Sequence, residues 1–269
     1  MSRLKDKAAI VTGAGSGIGR ATALRFAKEG AHVLLAGRRQ STVAQVAEEI
    51  RGFGGNAVAL EVDVGIEEQV RDMIDATLSA FGRIDILFNN AVHSAASSEP
   101  SERDLMAFDT SVFERIVRVN VLGGVWACKY ALPHMLARGM GAILFTSSTS
   151  AFAGDVGQFS YGASKAMVNW YIKTIATTFG KQGIRCNGIV PGLIQTPALE
   201  AWITPEVEEG FLRLNNVPRL GKPDDIAGVA AFLASEEAEY VNGSLYFADG
   251  GMTASLPFAQ LQRESSASI

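Results

Sequence analysis

Apolar positions along the chain fall into short solid runs that alternate with longer stretches of helical spacing. Residues 8–11 form an apolar run ending at Thr12-Gly13, the pattern of a buried strand. Residues 17–29 repeat apolar side chains every three or four positions and stop at Gly30, which predicts a helix. The same signals predict strands over 32–36, 57–62, 84–88, 142–145, 184–190 and 244–247, and helices over 40–51, 66–81, 109–138, 160–180 and 223–234. Such alternation predicts an α/β fold, a three-layer doubly wound parallel sheet of about seven strands with helices on both faces. No Pro- or Ser-rich linker interrupts the pattern, so residues 1–251 are expected to form a single domain, with 193–216 as a candidate lid. Residues 252–269 lack periodicity and are expected to be a partly ordered tail.

Composition narrows the function classes. Of 269 residues, 48% are apolar and 19% charged, enough apolar material for a large core. A net charge of −4 and the lack of any long basic run disfavour nucleic acid or an anionic membrane as partner. A small-molecule partner is expected instead. Cys128 and Cys186 have neither zinc spacing nor the density of a disulfide framework, and His32, His93 and His134 are scattered, so no metal site is expected. No apolar run is long enough to span a bilayer, and the short polar N-terminus leaves no room for a signal peptide. A cytoplasmic location is the expectation.

The first strand runs into Gly13-Ala14-Gly15-Ser16-Gly17-Ile18-Gly19 and then a helix. Gly13, Gly17 and Gly19 allow the backbone to turn tightly and approach a pyrophosphate, with Ser16 and Ile18 in the same turn. The following helix N-terminus offers free N–H groups and a positive dipole end. The end of the second strand decides the cofactor. An NAD-selective site usually holds a carboxylate there, but this chain reads Gly37-Arg38-Arg39. A guanidinium can grip a 2′-phosphate through paired hydrogen bonds, so Arg38 favours NADP(H) over NAD(H).

Tyr161 and Lys165 stand four apart in a helical stretch, which puts both side chains on one face. A nearby ammonium favours the phenolate, and a tyrosine tuned in this way can exchange a proton with an alcohol or ketone oxygen. Ser148 follows the fifth strand, at the sheet edge where ligands bind in open α/β folds. Its neighbours Thr146, Ser147, Thr149 and Ser150 are also hydroxylic, and chemistry alone does not choose among them.

With these motifs the chain resembles the short-chain dehydrogenase/reductase family, single-domain type, over about residues 5–251. The resemblance rests on Thr12-Gly13 with Gly17 and Gly19, Asp63-Val64, Asn89-Asn90-Ala91, Asn120, Ser148, Tyr161 with Lys165, Pro191-Gly192 with Thr196, and Asp249-Gly250-Gly251. It implies a Rossmann-type sheet and hydride transfer between a nicotinamide and a carbinol or carbonyl carbon. It implies Tyr161 as general acid/base, Lys165 as its electrostatic partner and a nicotinamide-ribose ligand, and Ser148 as the group that orients the substrate oxygen. Asn120 would hold a water linking Lys165 to solvent. Asp63 and Val64 would contact adenine, Asn90 the adjoining ribose, and Ile194 and Thr196 the carboxamide. The resemblance also implies an oligomer, expected to be a homotetramer, on the two long helices, where Val121, Val125, Trp126, Ala127, Met167, Trp170, Tyr171 and Ile175 are available. One departure is Val92, where the family usually has glycine. A β-branched residue requires an ordinary backbone there or a re-aimed loop.

Loop 92–108 and segment 193–216, with Trp202, Ile203, Phe211 and Leu214, are expected to set the substrate. With Phe152 and Phe159 beside Ser148 and Tyr161, an apolar secondary alcohol or ketone, cyclic or aromatic, fits best. His93 is a candidate substrate contact. Reduction of 3-ketoacyl groups on a carrier protein or CoA is the alternative. The basic stretch that would dock an acidic carrier is reduced to Arg103 among Glu99, Glu102, Asp104 and Asp109. Enoyl reduction is disfavoured, because relatives doing it use a longer Tyr–Lys spacing. A non-catalytic nucleotide sensor is the reading from a different class.

Overall fold

The computed structural model describes residues 2–93, 99–201, 203–256 and 258–266. Seven strands, β1 (Ala8–Thr12), β2 (His32–Gly37), β3 (Asn56–Glu61), β4 (Ile86–Asn89), β5 (Gly141–Thr146), β6 (Ile184–Pro191) and β7 (Leu245–Ala248), pair in parallel in the order β3-β2-β1-β4-β5-β6-β7. The central strands are buried along nearly their whole length, which is why they read as solid apolar runs rather than alternating ones. Helices α1 (Gly17–Lys28), α2 (Gln40–Gly52) and α9 (Pro223–Ala234) bury Phe26, Val46 and Ile226 on one face. Helices α3 (Glu67–Phe81), α5 (Gly123–Ala137) and α6 (Phe159–Phe179) bury Met73, Ala131 and Ile172 on the other. Strand order reverses between β1 and β4, so their carboxyl ends open a crevice.

Three features depart from the sequence expectation. The helix expected over 109–138 is divided: α4 (Thr110–Val117) and α5 are joined by a π-helical turn, Arg118–Leu122, centred on Asn120. Loop 193–216 holds two short helices, α7 (Pro197–Glu200) and α8 (Pro205–Leu214), each begun by a threonine cap and a proline. The tail carries a helix, α10 (Ala259–Ser266), a short polar segment with only Ala259 and Leu261 as apolar positions, too few to show as periodicity. Val92 has no positive φ, so the backbone there is ordinary. Trp202 and residues 94–98 of the substrate loop lie outside the described residues. Among the described residues no helix is long and apolar enough to cross a membrane.

Candidate active site

The glycine turn is held open by what surrounds it. A Cβ on Gly19 would stand 2.1 Å from the Gly13 carbonyl oxygen, so the close approach of helix and turn requires glycine. Ser16 precedes α1 without capping it, and the first turn holds no acidic residue, so its N–H groups are available to an anion. The turn is tied to β2 by Ala14 N–H donating to Ala36 O at 3.1 Å. Arg38 follows directly, exposed, at the rim of the same crevice. Thr196 caps α7 and reaches the other side of the turn, its Cγ2 3.0 Å from where a Gly17 Cβ would lie. Ile194 is buried behind it, bridged to Gly221. These features fit a dinucleotide: uncapped helix N–H groups for a pyrophosphate, a cradle that any side chain would fill, and the exposed Arg38 guanidinium at the adenosine end.

A polar network runs from this turn to the lysine. The Thr12 hydroxyl accepts from Asn90 N (2.9 Å) and Ala91 N (3.0 Å). Asn90 Nδ2 donates to Thr12 O at 3.0 Å, and the Thr146 hydroxyl donates to Asn90 Oδ1 at 3.1 Å. Lys165 Nζ donates to Thr146 O at 2.7 Å. Asp63 and Val64 follow β3; the Asp63 carboxylate accepts from Gly65 N at 2.9 Å, and Val64 is buried.

Tyr161, Lys165, Ser148 and Asn120 come together at the carboxyl end of β5. Lys165 Nζ lies 5.8 Å from the Tyr161 ring centroid, and the Ser148 side chain stands near the Tyr161 phenol. Burial pulls the Lys165 ammonium down to about 8. Burial also raises the Tyr161 phenol, and the nearby Ser148 side chain lowers it part of the way back. In the protein alone, desolvation thus acts on both members of the pair. The Asn120 side chain is spent on its neighbours. Its Oδ1 accepts from His93 N at 2.7 Å, and its Nδ2 donates to His93 O (3.2 Å) and Ser164 Oγ (3.0 Å). A cavity of about 10 Å³ lies between Asn120, Thr146 and Lys165, the size of one water. The His93 side chain is partly buried; burial, then Arg115 and Arg38, keeps its pKa low.

Three contributors were missed in the sequence. Thr146 acts through a main-chain carbonyl, which carries no side-chain signal. Phe247 on β7 packs on Phe152 at 4.8 Å between centroids and stays half exposed near the site. Glu102, named in the sequence only among the acids around Arg103, is buried against the start of α6. Among the described residues no cluster of three or more His, Cys, Asp or Glu is arranged to hold a metal.

A parallel sheet with this strand order, a glycine cradle at its switch point and a Tyr–Lys–Ser group beside it define a nicotinamide-dependent oxidoreductase. The comparisons specify the class. A family model described as enoyl-(acyl carrier protein) reductase matches residues 13–253. The 7alpha-hydroxysteroid dehydrogenase of Escherichia coli K12 is 36% identical over 249 residues, covering 93% of this chain and 95% of that protein. The meso-2,3-butanediol dehydrogenase of Serratia marcescens is 37% identical over 256 residues, covering 94% and 97%. A solved 7 alpha-hydroxysteroid dehydrogenase, complexed with NADH and 7-oxo glycochenodeoxycholic acid, superposes with a TM-score of 0.87 at 36% identity, covering 93% of this chain and 95% of that one. The chain belongs to the short-chain dehydrogenase/reductase family.

Proposed function

We propose that the protein interconverts a secondary alcohol and a ketone on an apolar substrate, with Tyr161 as acid/base and NADP(H) as the preferred cofactor. The observation that carries the reading is Tyr161 grouped with Ser148 and with a buried Lys165, whose Nζ lies 5.8 Å from the Tyr161 ring centroid. Relatives named as hydroxysteroid and diol dehydrogenases support hydroxyl and keto groups as the reacting functions.

A nicotinamide bound in the crevice would supply or accept the hydride. The Ser148 hydroxyl orients the substrate oxygen, and the Tyr161 hydroxyl gives its proton to that oxygen in reduction and takes it back in oxidation. Lys165 stabilises the phenolate and stands at the inner end of a proton path. Because the Asn120 side chain is engaged with His93 and Ser164, a water in the adjoining cavity would need a main-chain group of the π turn. Gly13, Ser16, Gly17, Ile18 and Gly19 would hold the pyrophosphate. Asp63, Val64 and Asn90 would hold the adenosine half, with Ile194 and Thr196 at the carboxamide. Phe152, Phe159 and Phe247 would offer the apolar surface, with 193–216 closing over it. Glu99, Asp104 and Asp109 beside the site disfavour docking of an acidic carrier protein. The outer face of α6, with Trp170 68% exposed, supports a homotetramer.

The cofactor reading rests on Arg38, and calorimetric titration with NADPH and NADH tests it. NADPH is expected to bind about 10- to 100-fold tighter, the worth of a charge-assisted contact, and the gap to close in Arg38→Ala. Tighter binding of NADH by the wild-type protein would overturn it. A ketone panel with the better cofactor then tests the substrate class.

A further inference from the structure

Helix α6 carries Tyr161 in its first turn, yet it begins without a cap of its own. Its preceding residue, Gln158, is left-handed at φ 56°, and its side chain makes no capping bond. The missing acceptors come from Glu102, far away in sequence on the substrate loop. Ser160 N donates to both Glu102 carboxylate oxygens (3.2 and 3.1 Å), and Tyr161 N donates to Oε2 at 3.2 Å. Gln158 N donates to the Glu102 main-chain oxygen at 2.5 Å. Glu102 is 1% exposed, a depth at which a carboxylate persists only when its oxygens are satisfied. The joint is closely built: Gly157 has φ 93°, and a Cβ on it would stand 2.7 Å from Glu102 O.

We propose that Glu102 is a positioning residue for Tyr161, fastening the substrate loop to the first turn of the helix that carries the proposed acid/base. The carboxylate replaces the local cap and opposes the helix dipole at the same point. Tyr161's own peptide N–H is one of the bonds, so a shift of Glu102 moves the Tyr161 Cα relative to Ser148. The loop that meets the substrate and the group that protonates it thus share one fixed joint. The Glu99–Arg115 ion pair at 2.7 Å ties the same loop to α4.

This rests on the proposed oxidoreductase function, and the test separates the two. Glu102→Ala removes the acceptors, whereas Glu102→Gln can place one amide oxygen where Oε2 now accepts from both N–H groups. Both variants are compared with wild type for NADPH affinity, kcat, KM, the isotope effect with deuterated cofactor, and hydrogen exchange over residues 157–165. In Glu102→Ala, kcat is expected to fall about 10- to 100-fold with a larger isotope effect, while cofactor affinity changes little. Exchange over 157–165 rises, and Glu102→Gln restores most of both. Unchanged exchange in Glu102→Ala overturns the proposal whether or not the enzyme turns over. Faster exchange with kcat and isotope effect unchanged also overturns it, leaving Glu102 a structural cap. Absence of wild-type turnover with bound cofactor counts against the functional reading alone, and the exchange data still decide whether Glu102 holds the helix start.

Discussion

Lys165 shows how one side chain records its surroundings. It is 2% exposed, and desolvation lowers its pKa from 10.5 to about 8. Between those values the unfolded chain binds a proton that the folded chain does not, so this residue makes stability rise with pH across that window. Below about pH 8 both states are protonated and the full burial cost applies. Tyr161 acts oppositely, but only above its ordinary value near 10, because burial raises its pKa. Urea unfolding at pH 8 and pH 10 is therefore expected to show wild type gaining about 2 kcal/mol relative to Lys165→Met. Parallel stabilities at the two pH values would contradict a buried, desolvated ammonium. At this scale the sequence was informative about side-chain chemistry and silent about depth. The spacing of Tyr161 and Lys165 and the glycines at 13, 17 and 19 are visible as residue types. The burial of this pair depends on β5 and α6 packing together, and the Thr146 carbonyl that receives Lys165 has no residue signature.

The solid apolar runs of the parallel strands are legible because both faces of the sheet are covered, and α9 is found over the very residues its periodicity marked. The π turn was not legible. Apolar spacing stays nearly helical through it, and only the pairing of Asn120 with His93 and Ser164 distinguishes it. The tail helix escaped because it is short and mostly polar, with too few apolar positions to repeat. Helix α6 has two apolar faces: Val168, Ile172 and Ile175 pack into the core, while Trp170 points away from it. Of the residues offered for an assembly face, Val121, Ala127 and Ile175 are buried within the chain, which leaves Met167, Trp170 and Tyr171 of α6 and Val125 and Trp126 of α5. Light scattering is expected to give four times the 28.5 kDa chain mass. A monomer mass would contradict the proposed homotetramer.

Across the whole molecule, strand order turns scattered motifs into one site. The glycine turn follows β1, Arg38 follows β2, Asp63 follows β3, Asn90 follows β4 and Ser148 follows β5, so positions distant in sequence meet along one sheet edge. That convergence was legible in outline, since alternating strands and helices restrict the topology to few choices. What the loops do above the edge was not, because contacts such as Glu102 with the start of α6 join segments that share no periodicity. The central claim, that this edge binds a nicotinamide cofactor and that Tyr161 moves the proton, is tested most directly by Tyr161→Phe. Cofactor affinity and ketone turnover are measured on the same preparations as wild type. The expected result is cofactor binding within about threefold of wild type and turnover reduced about 10²- to 10⁴-fold, the worth of a general acid. Turnover by Tyr161→Phe at the wild-type rate would contradict the claim.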